Sequence, residues 1–457
     1  MNIYLHVEIS SRELDSKLLL ATLAASRGHR MIVSDLVGIE KGVNNGVLSP
    51  GIFHTKSLSA HKDKIARHQR MIDKGFLITS MDEEGNLNDH GYEGDAKTRF
   101  SNKTIEQSTA VFGWGTDDVE TLKEIYPKYS HKIYKTGSPR ADLWKPLFAN
   151  YWNVPSQIPK KPFLLISCNT GYSNNVNSFG KLIKFENEMG RYQSNPGHLE
   201  MTMGRYAEDF NKMLAYFEAV KYLSINNNGY DIVFRPHPAE DIEAWKIILN
   251  GIPNVHVIRE GSIDGWVKNA FAVMHNSCTT ALEATISKKP VITYILPGQK
   301  YSPQLANELG FPVKSPEELT KKVNNIFDSS KLSSYDQNSS ETLPEIISKK
   351  IFSNNELAAE KIINIWENID NDNLSKPFNL KRYETSLRQN VLKKTIKKIV
   401  GNFIPNKYIS VNKNSKFSKL NENDISKRIK KFQHILGLSE KIELKLLSEK
   451  TILIQKL

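Results

Sequence analysis

The sequence predicts an α/β protein with two parallel-sheet halves, followed by a basic helical C-terminal extension. Three observations lead there. Short apolar runs alternate with amphipathic stretches over 1–330, as expected of strands joined by crossover helices. A proline-rich stretch breaks that alternation near its middle. The length, 457 residues, also exceeds what one compact domain usually needs.

In the first half, Ile3–Val7 reads as a strand. Glu13–Arg27 reads as a helix with Leu14, Leu18, Ala21 and Ala25 on one face, closed by Gly28. Strands are then predicted at Met31–Val33, Gly51–His54, Phe76–Thr79, Ala110–Gly113 and Lys132–Tyr134, with helices near Ala60–Ile72 and Asp117–Ile125. The stretch Thr136–Pro162 holds five prolines and reads as the connection between halves. The second half repeats the pattern: Phe163–Ser167, a long helix near Leu199–Leu223, then Tyr230–Phe234, Val255–Ile258, Ala272–His275 and Val291–Ile295. Ser329–Glu341 is polar and reads as a linker, and Glu356–Ile369 as a helix. The expected domains are therefore 1–140 (acceptor side), 141–330 (nucleotide side), a linker and helix over 331–375, and a basic tail over 376–457. Two Rossmann-like halves of this kind face a cleft, with the active site at the carboxyl ends of the strands.

Composition removes several classes. Hydrophobic residues at 39% and charged residues at 25% suit a globular chain rather than a disordered one. No apolar run is long enough for a membrane-spanning helix, which takes roughly 20 residues. The N-terminal stretch lacks the basic, apolar and small-residue regions of a signal peptide. Two cysteines, Cys168 and Cys278, are too few for a disulfide framework or a four-cysteine zinc site, so a cytosolic setting is expected. The net charge of +12 is unevenly placed. The stretch 376–457 carries 20 Lys and Arg against 6 Asp and Glu, while 1–375 carries 42 against 44.

Phosphate-loop, dinucleotide and zinc-protease motifs are absent. Four polar clusters stand out instead, each where a predicted strand meets its loop. Arg235-Pro236-His237-Pro238 stiffens a loop around an imidazole and adds an always-charged donor fork, which suits a nucleotide phosphate. His275-Asn276-Ser277-Cys278-Thr279-Thr280 leads into a predicted helix whose first backbone N–H groups favour an anion by roughly 0.3–1 kcal/mol per charge. Glu283, one turn in, either completes a capping box or binds ribose hydroxyls. Asp82-Glu83-Glu84-Gly85 follows a strand, where a carboxylate can act as nucleophile or base, or sit as a solvated surface run. Glu8 and Arg12 flank Ser10, Ser11 and Glu13, which a helix start explains by itself. Gly137-Ser138-Pro139-Arg140 with Asp142, and Asn169-Thr170, are secondary candidates.

Taken in order, SRELDSKLLLA with RGH, DEEG, TGSPRADL, FRPHPAE, HNSCTTALEA and KKPVITY resemble the bacterial surface-carbohydrate biosynthesis proteins, a GT-B glycosyltransferase family, over about 1–330. The RPHP and HNSCTT pieces also resemble the HP and Ser/Thr motifs of Kdo and other CMP-sugar transferases, and related motifs of CDP-glycerol phosphotransferases. The resemblance implies a GT-B-like fold. It implies that Arg235 and His237 contact the donor phosphate and that Ser277, Thr279 and Thr280 cradle phosphate or nucleotide, with His275, Asn276, Glu283, Asn169 and Thr170 alongside. It places Glu83 or Glu84 where some of these enzymes carry a catalytic Asp; here a Glu stands instead. Glu8 and Arg12 fall on the acceptor side.

In the tail, 386–404 places Leu392, Ile396, Ile399, Val400 and Phe403 on one helical face, with Lys394, Lys397 and Lys398 mostly opposite. Leu387 and Val391 fall on the polar side. This pattern suits a helix lying on an anionic membrane, each Lys contributing about 1 kcal/mol, or a helix docked on a partner or on the body. The expectation is a GT-B-type glycosyltransferase on the inner membrane face. Its substrates would be a nucleotide sugar, CMP-linked by preference, and a lipid-linked surface polysaccharide such as O-antigen or capsule. No metal, cofactor or nucleic acid is expected. A CDP-alcohol phosphotransferase, a nucleotide-sugar epimerase and a non-catalytic assembly scaffold are the alternatives.

Overall fold

A computed structural model describes residues 1–83, 93–195, 197–302, 304–331, 345–351, 356–369, 372–388 and 417–457. They form two units, each built on its own parallel sheet. One unit takes the described residues up to Leu143 together with those from Glu345 onward; the other takes Trp144 to Lys331.

The first sheet contains β1 (Asn2–His6), β2 (Arg30–Ser34), β3 (Ile52–Thr55), β4 (Leu77–Met81), β5 (Ala110–Gly113) and β6 (Ile133–Lys135). All run parallel, in the order β2-β1-β3-β4-β5-β6. The second contains β7 (Phe163–Ser167), β8 (Asp231–Arg235), β9 (Val255–Val257), β10 (Ala272–His275), β11 (Val291–Tyr294) and β12 (Phe311–Val313), in the order β12-β11-β10-β7-β8-β9, again all parallel. Strands covered on both faces read as continuous apolar runs, which is why the sequence located most of them. The two parallel-sheet halves are as predicted.

Two features differ from the reading of the sequence. The first helix, α1 (Ser10–Ser26), is buried nearly all round rather than along one stripe: Leu18, Leu19, Leu20, Ala21, Ala24 and Ala25 have no exposed surface. The run LLLATLAA is apolar on every side, and such a helix needs cover on every side. That cover comes from the chain's end, because the helices Ala358–Glu367 and Glu422–Leu436 pack against α1.

The second difference concerns the basic extension. Residues 417–457 form the helix Glu422–Leu436 and an antiparallel hairpin, β13 (Ile442–Ser448) and β14 (Thr451–Lys456). Strand β14 pairs antiparallel with β2, Leu453 opposite Ile32, and lengthens the first sheet to eight strands. Ile425, Ile429 and Phe432 are buried, and Arg428 meets Asp15 at 2.8 Å. Leu387, assigned above to the polar side of a membrane helix, is instead buried in the first unit's core beside Tyr383. The rest of that stretch, 389–404, lies outside the described residues. Positive charge thus marks the solvent side of segments whose apolar residues complete the first unit. Among the described residues no helix is long and apolar enough to cross a membrane.

Candidate functional site

In the second sheet the chain leaves β7 toward β8 on one side and later fills β10 on the other. The loops after β7 and β10 therefore diverge at the carboxyl edge, the place where open parallel sheets take their ligands. Three contacts join the two loops there. The Ser167 hydroxyl donates to Thr280 Oγ1 at 3.1 Å and lies 3.2 Å from Cys278 Sγ, and Asn169 Nδ2 donates to the Ser277 carbonyl at 3.2 Å. Ser277 has φ +54°, a left-handed backbone that turns the chain sharply out of β10. A non-glycine residue there stores about 1–3 kcal/mol and persists only when held. Asn307 holds it, accepting from the Ser277 N–H at 2.6 Å and donating to its hydroxyl at 3.0 Å.

The loop after β8 is tied in by a residue that the motifs do not single out. Glu240, the acid of RPHPAE, has no exposed surface. Its Oε1 accepts from the backbone N–H groups of Thr170 (3.1 Å) and His237 (2.9 Å), and its Oε2 from the Thr170 hydroxyl and Trp245 Nε1 (2.7 Å). A buried carboxylate is tolerated only when its lone pairs are filled; these four donors fill them, and the Cys168 thiol adds a weaker one to Oε2 at 3.6 Å. One side chain thereby fixes the β7 and β8 loops to each other.

The predicted donor-binding residues divide into a frame and an open face. Arg235 belongs to the frame: it is buried and donates through Nη1 and Nη2 to the carbonyls of Glu260 (2.7 Å) and Gly261 (2.5 Å), clamping the loop after β9. Burial lowers its pKa to about 10. His275 is fully buried, with Nε2 3.0 Å from Thr293 Oγ1, and burial lowers its pKa to about 3. Asn276 is spent on the Tyr294 carbonyl and a reciprocal amide pair with Gln299. Thr170 and Thr280 are buried in the contacts given above, and Glu283 is buried within electrostatic reach of Arg235.

The open face is smaller. His237 is exposed, and its Nδ1 accepts from the Ala239 N–H at 3.2 Å, which leaves the proton of the neutral ring on Nε2. Desolvation by the folded loop, reinforced by Arg259, holds its pKa below the ordinary histidine value. Thr279 is exposed and its side chain makes no cap bond. Asn169 is half-buried. Two cations from the long helix Gly197–Asn226 approach the same loops and carry no motif signal. Lys212 is buried and donates to the Asn169 carbonyl (3.1 Å) and to Asp209 Oδ1 (3.3 Å). Arg205 lies 4.8 Å over the Tyr172 ring and forms no ion pair among the described residues. Only contacts between segments distant in sequence reveal them.

The buried ring of His275 makes stability depend on pH. Its folded pKa is depressed, so its contribution is complete above the unfolded value near 6.5 and is lost as pH falls toward 3. Between pH 7.5 and pH 5, wild type should lose about 2 kcal/mol more than His275→Gln in urea unfolding. Equal losses would mean that the ring is already accessible to protons.

In the first unit, Glu83 is buried and ion-paired with the equally buried Lys17 of α1. Asp82 is held by Arg99 and its carbonyl accepts from Trp114 Nε1 at 2.8 Å. Glu84 and Gly85 lie outside the described residues. Glu8 pairs with Lys56, and Arg12 Nη2 donates to Glu13 Oε1 at 3.0 Å. The start of α1 is also organised differently from a serine cap: Glu13 Oε2 reaches back to accept from the Glu8 N–H at 2.7 Å and the Ile9 N–H at 3.3 Å. Among the described residues, no group of three or more His, Cys, Asp and Glu side chains is placed to hold a metal ion.

No family model matches the chain, and no curated protein matches it in sequence. Solved structures do align with most of it. A UDP-N-acetylglucosamine 2-epimerase aligns with TM-score 0.49 and 9% identity, over 83% of this chain and 98% of that one. The UDP-GlcNAc 2-epimerase of Methanocaldococcus jannaschii gives 0.45 and 14%, over 80% and 99%. A glycosyltransferase from Rickettsia africae ESF-5 gives 0.43 and 13%, over 82% and 99%. Likeness at this level assigns no chemistry to this chain, which rests on its own site.

Proposed function

We propose that the chain is a glycosyltransferase whose second unit binds a nucleotide sugar at the switch point between β7 and β10. The observation that carries this reading is the convergence of RPHP and HNSCTT, well separated in sequence, on the two sides of β7 with His237 and Thr279 left open. Together with Asn169, they offer an imidazole N–H, a hydroxyl and an amide to one phosphate-bearing ligand. Donors fixed before the reaction stabilise charge as it develops on the departing nucleoside phosphate, without reorganising at that moment. Arg235, His275, Asn276, Thr280 and Glu240 act as the frame.

The motif resemblance favours a CMP-linked, Kdo-like donor and a lipid-linked surface polysaccharide as acceptor. A lipid-linked acceptor, together with the apolar and Lys-rich pattern of 386–404, favours work at the inner face of the membrane. Incubating purified protein with CMP-, CDP-, UDP- and GDP-linked donors and a membrane-lipid extract, then analysing products, tests the reading. It expects release of nucleotide with the sugar moved to an acceptor. Release of an epimerised nucleotide sugar, transfer of an alcohol phosphate, or no turnover of any donor would contradict it. His237→Ala should weaken nucleotide binding about tenfold, roughly 1.4 kcal/mol.

A further inference from the structure

The first unit carries a second polar constellation that this reading does not use. It lies at the carboxyl ends of β1, β3 and β4, where His6 ends β1, Lys56 and Ser57 follow β3, and Asp82 follows β4. Among the described residues five cations gather around it: Lys17, Lys56, Lys64, Arg67 and Arg99. Four have a carboxylate. Lys17 pairs with Glu83, Lys56 with Glu8, Arg67 with Glu40 at 2.8 Å, and Arg99 with Asp82.

Lys64 is the exception. Its ammonium donates to the Ser57 carbonyl at 3.1 Å and the Ser57 hydroxyl at 2.6 Å, both neutral; among the described residues no carboxylate is bonded to it, and Asp82, held by Arg99, acts on it only at a distance. Burial, with Arg67 and Lys56 adding to it, lowers its pKa to about 8. An ammonium in that state is stabilised by whatever anion comes next to it.

A second observation points the same way. His6 is 7% exposed and its Nδ1 has no hydrogen-bond partner among the described residues. The ring stacks on Phe53 at 6.3 Å, with Lys56, Lys17, Lys64 and Arg67 all within electrostatic reach. Burial and those cations keep it neutral, so its ring can offer an N–H to an anion. A buried imidazole nitrogen without a partner is costly unless a ligand completes it.

We propose that Lys64, Ser57 and His6 form an anion-binding site in the first unit that takes a phosphate ester. A tetrahedral phosphate suits the place better than a carboxylate, because it can accept from the ammonium, a hydroxyl and an imidazole N–H on separate oxygens. The site is independent of which nucleotide the second unit binds.

Calorimetric titration of inorganic phosphate into the full chain, against chloride at matched ionic strength, tests the site. Lys64→Gln should weaken phosphate binding at least tenfold, His6→Phe several-fold, and Lys64→Arg should stay within about threefold of wild type. The loss on Lys64→Gln should persist in a His237→Ala background, which separates it from the second unit. Glycerol 3-phosphate and vesicles containing phosphatidic acid, added as competitors, distinguish a soluble ester from a lipid headgroup; competition by either supports the site. Equal phosphate affinity in wild type and Lys64→Gln, or competition by neither ester, would overturn it.

Discussion

Replacing Glu240 by alanine is expected to destabilise the second unit by about 3–5 kcal/mol and to abolish nucleotide binding. The size follows from what is left behind. Two backbone N–H groups and the indole N–H of Trp245 lose their acceptor in a place with no exposed surface, and each unsatisfied buried donor costs about 1–3 kcal/mol. Glu240→Gln should also be damaging, because an amide presents a donor where the Thr170 hydroxyl or the indole already donates. Urea unfolding with denaturation midpoint and slope measured together checks the stability, and equilibrium binding of the preferred nucleotide checks the site. Binding should fall even at temperatures where the variant is folded, because the His237 loop loses its tie to the β7 turn. A destabilisation below about 1 kcal/mol would show that Glu240 is not the tie described.

Trp366→Ala should destabilise the first unit by about 3–5 kcal/mol, the range for removing a large buried aromatic. Trp366 sits on the helix Ala358–Glu367 with no exposed surface. Its ring meets His54 edge-on at 5.4 Å and Phe112 at 6.4 Å, and its Nε1 donates to Thr79 Oγ1 at 3.2 Å. These partners lie on β3, β5 and β4, so this one side chain plugs the returning chain into the sheet formed by its N-terminal part. Trp366→Phe should retain much of the packing and lose mainly the hydrogen bond, about 1 kcal/mol. Thermal unfolding of the two variants should therefore separate clearly. Similar small shifts for both would mean that the helix is not part of the first unit's core.

The strands of both sheets were legible because parallel strands covered on both faces are apolar throughout, and their loops were legible because polar residues cluster at the strand ends. The return of the chain's end was not. IELKLLS alternates and TILIQK opens on an apolar run, as strands do, but the surplus of Lys and Arg over 376–457 drew the reading toward a membrane helix. Charge reports the solvated side of a segment and says nothing of what its other side covers. In the site, position in the loop was legible and accessibility was not. His275 and Arg235 look like ligands in a motif, yet a central strand's last residue is enclosed by its neighbours, and Arg235 is consumed by two carbonyls of the next loop. Glu240, Lys212 and Arg205 were missed for the opposite reason: they act through contacts across the chain that no local pattern encodes.

The central claim is that nucleotide binds at the β7–β10 switch point of the second unit. Backbone hydrogen exchange of the full chain, with and without saturating CMP, CDP, UDP or GDP, addresses it most directly. The account predicts that at least one nucleotide slows exchange in the turns at 168–170, 237–240 and 277–280 together, and that His237→Ala removes this protection. Protection confined to the first unit, or absent with all four nucleotides, would contradict it.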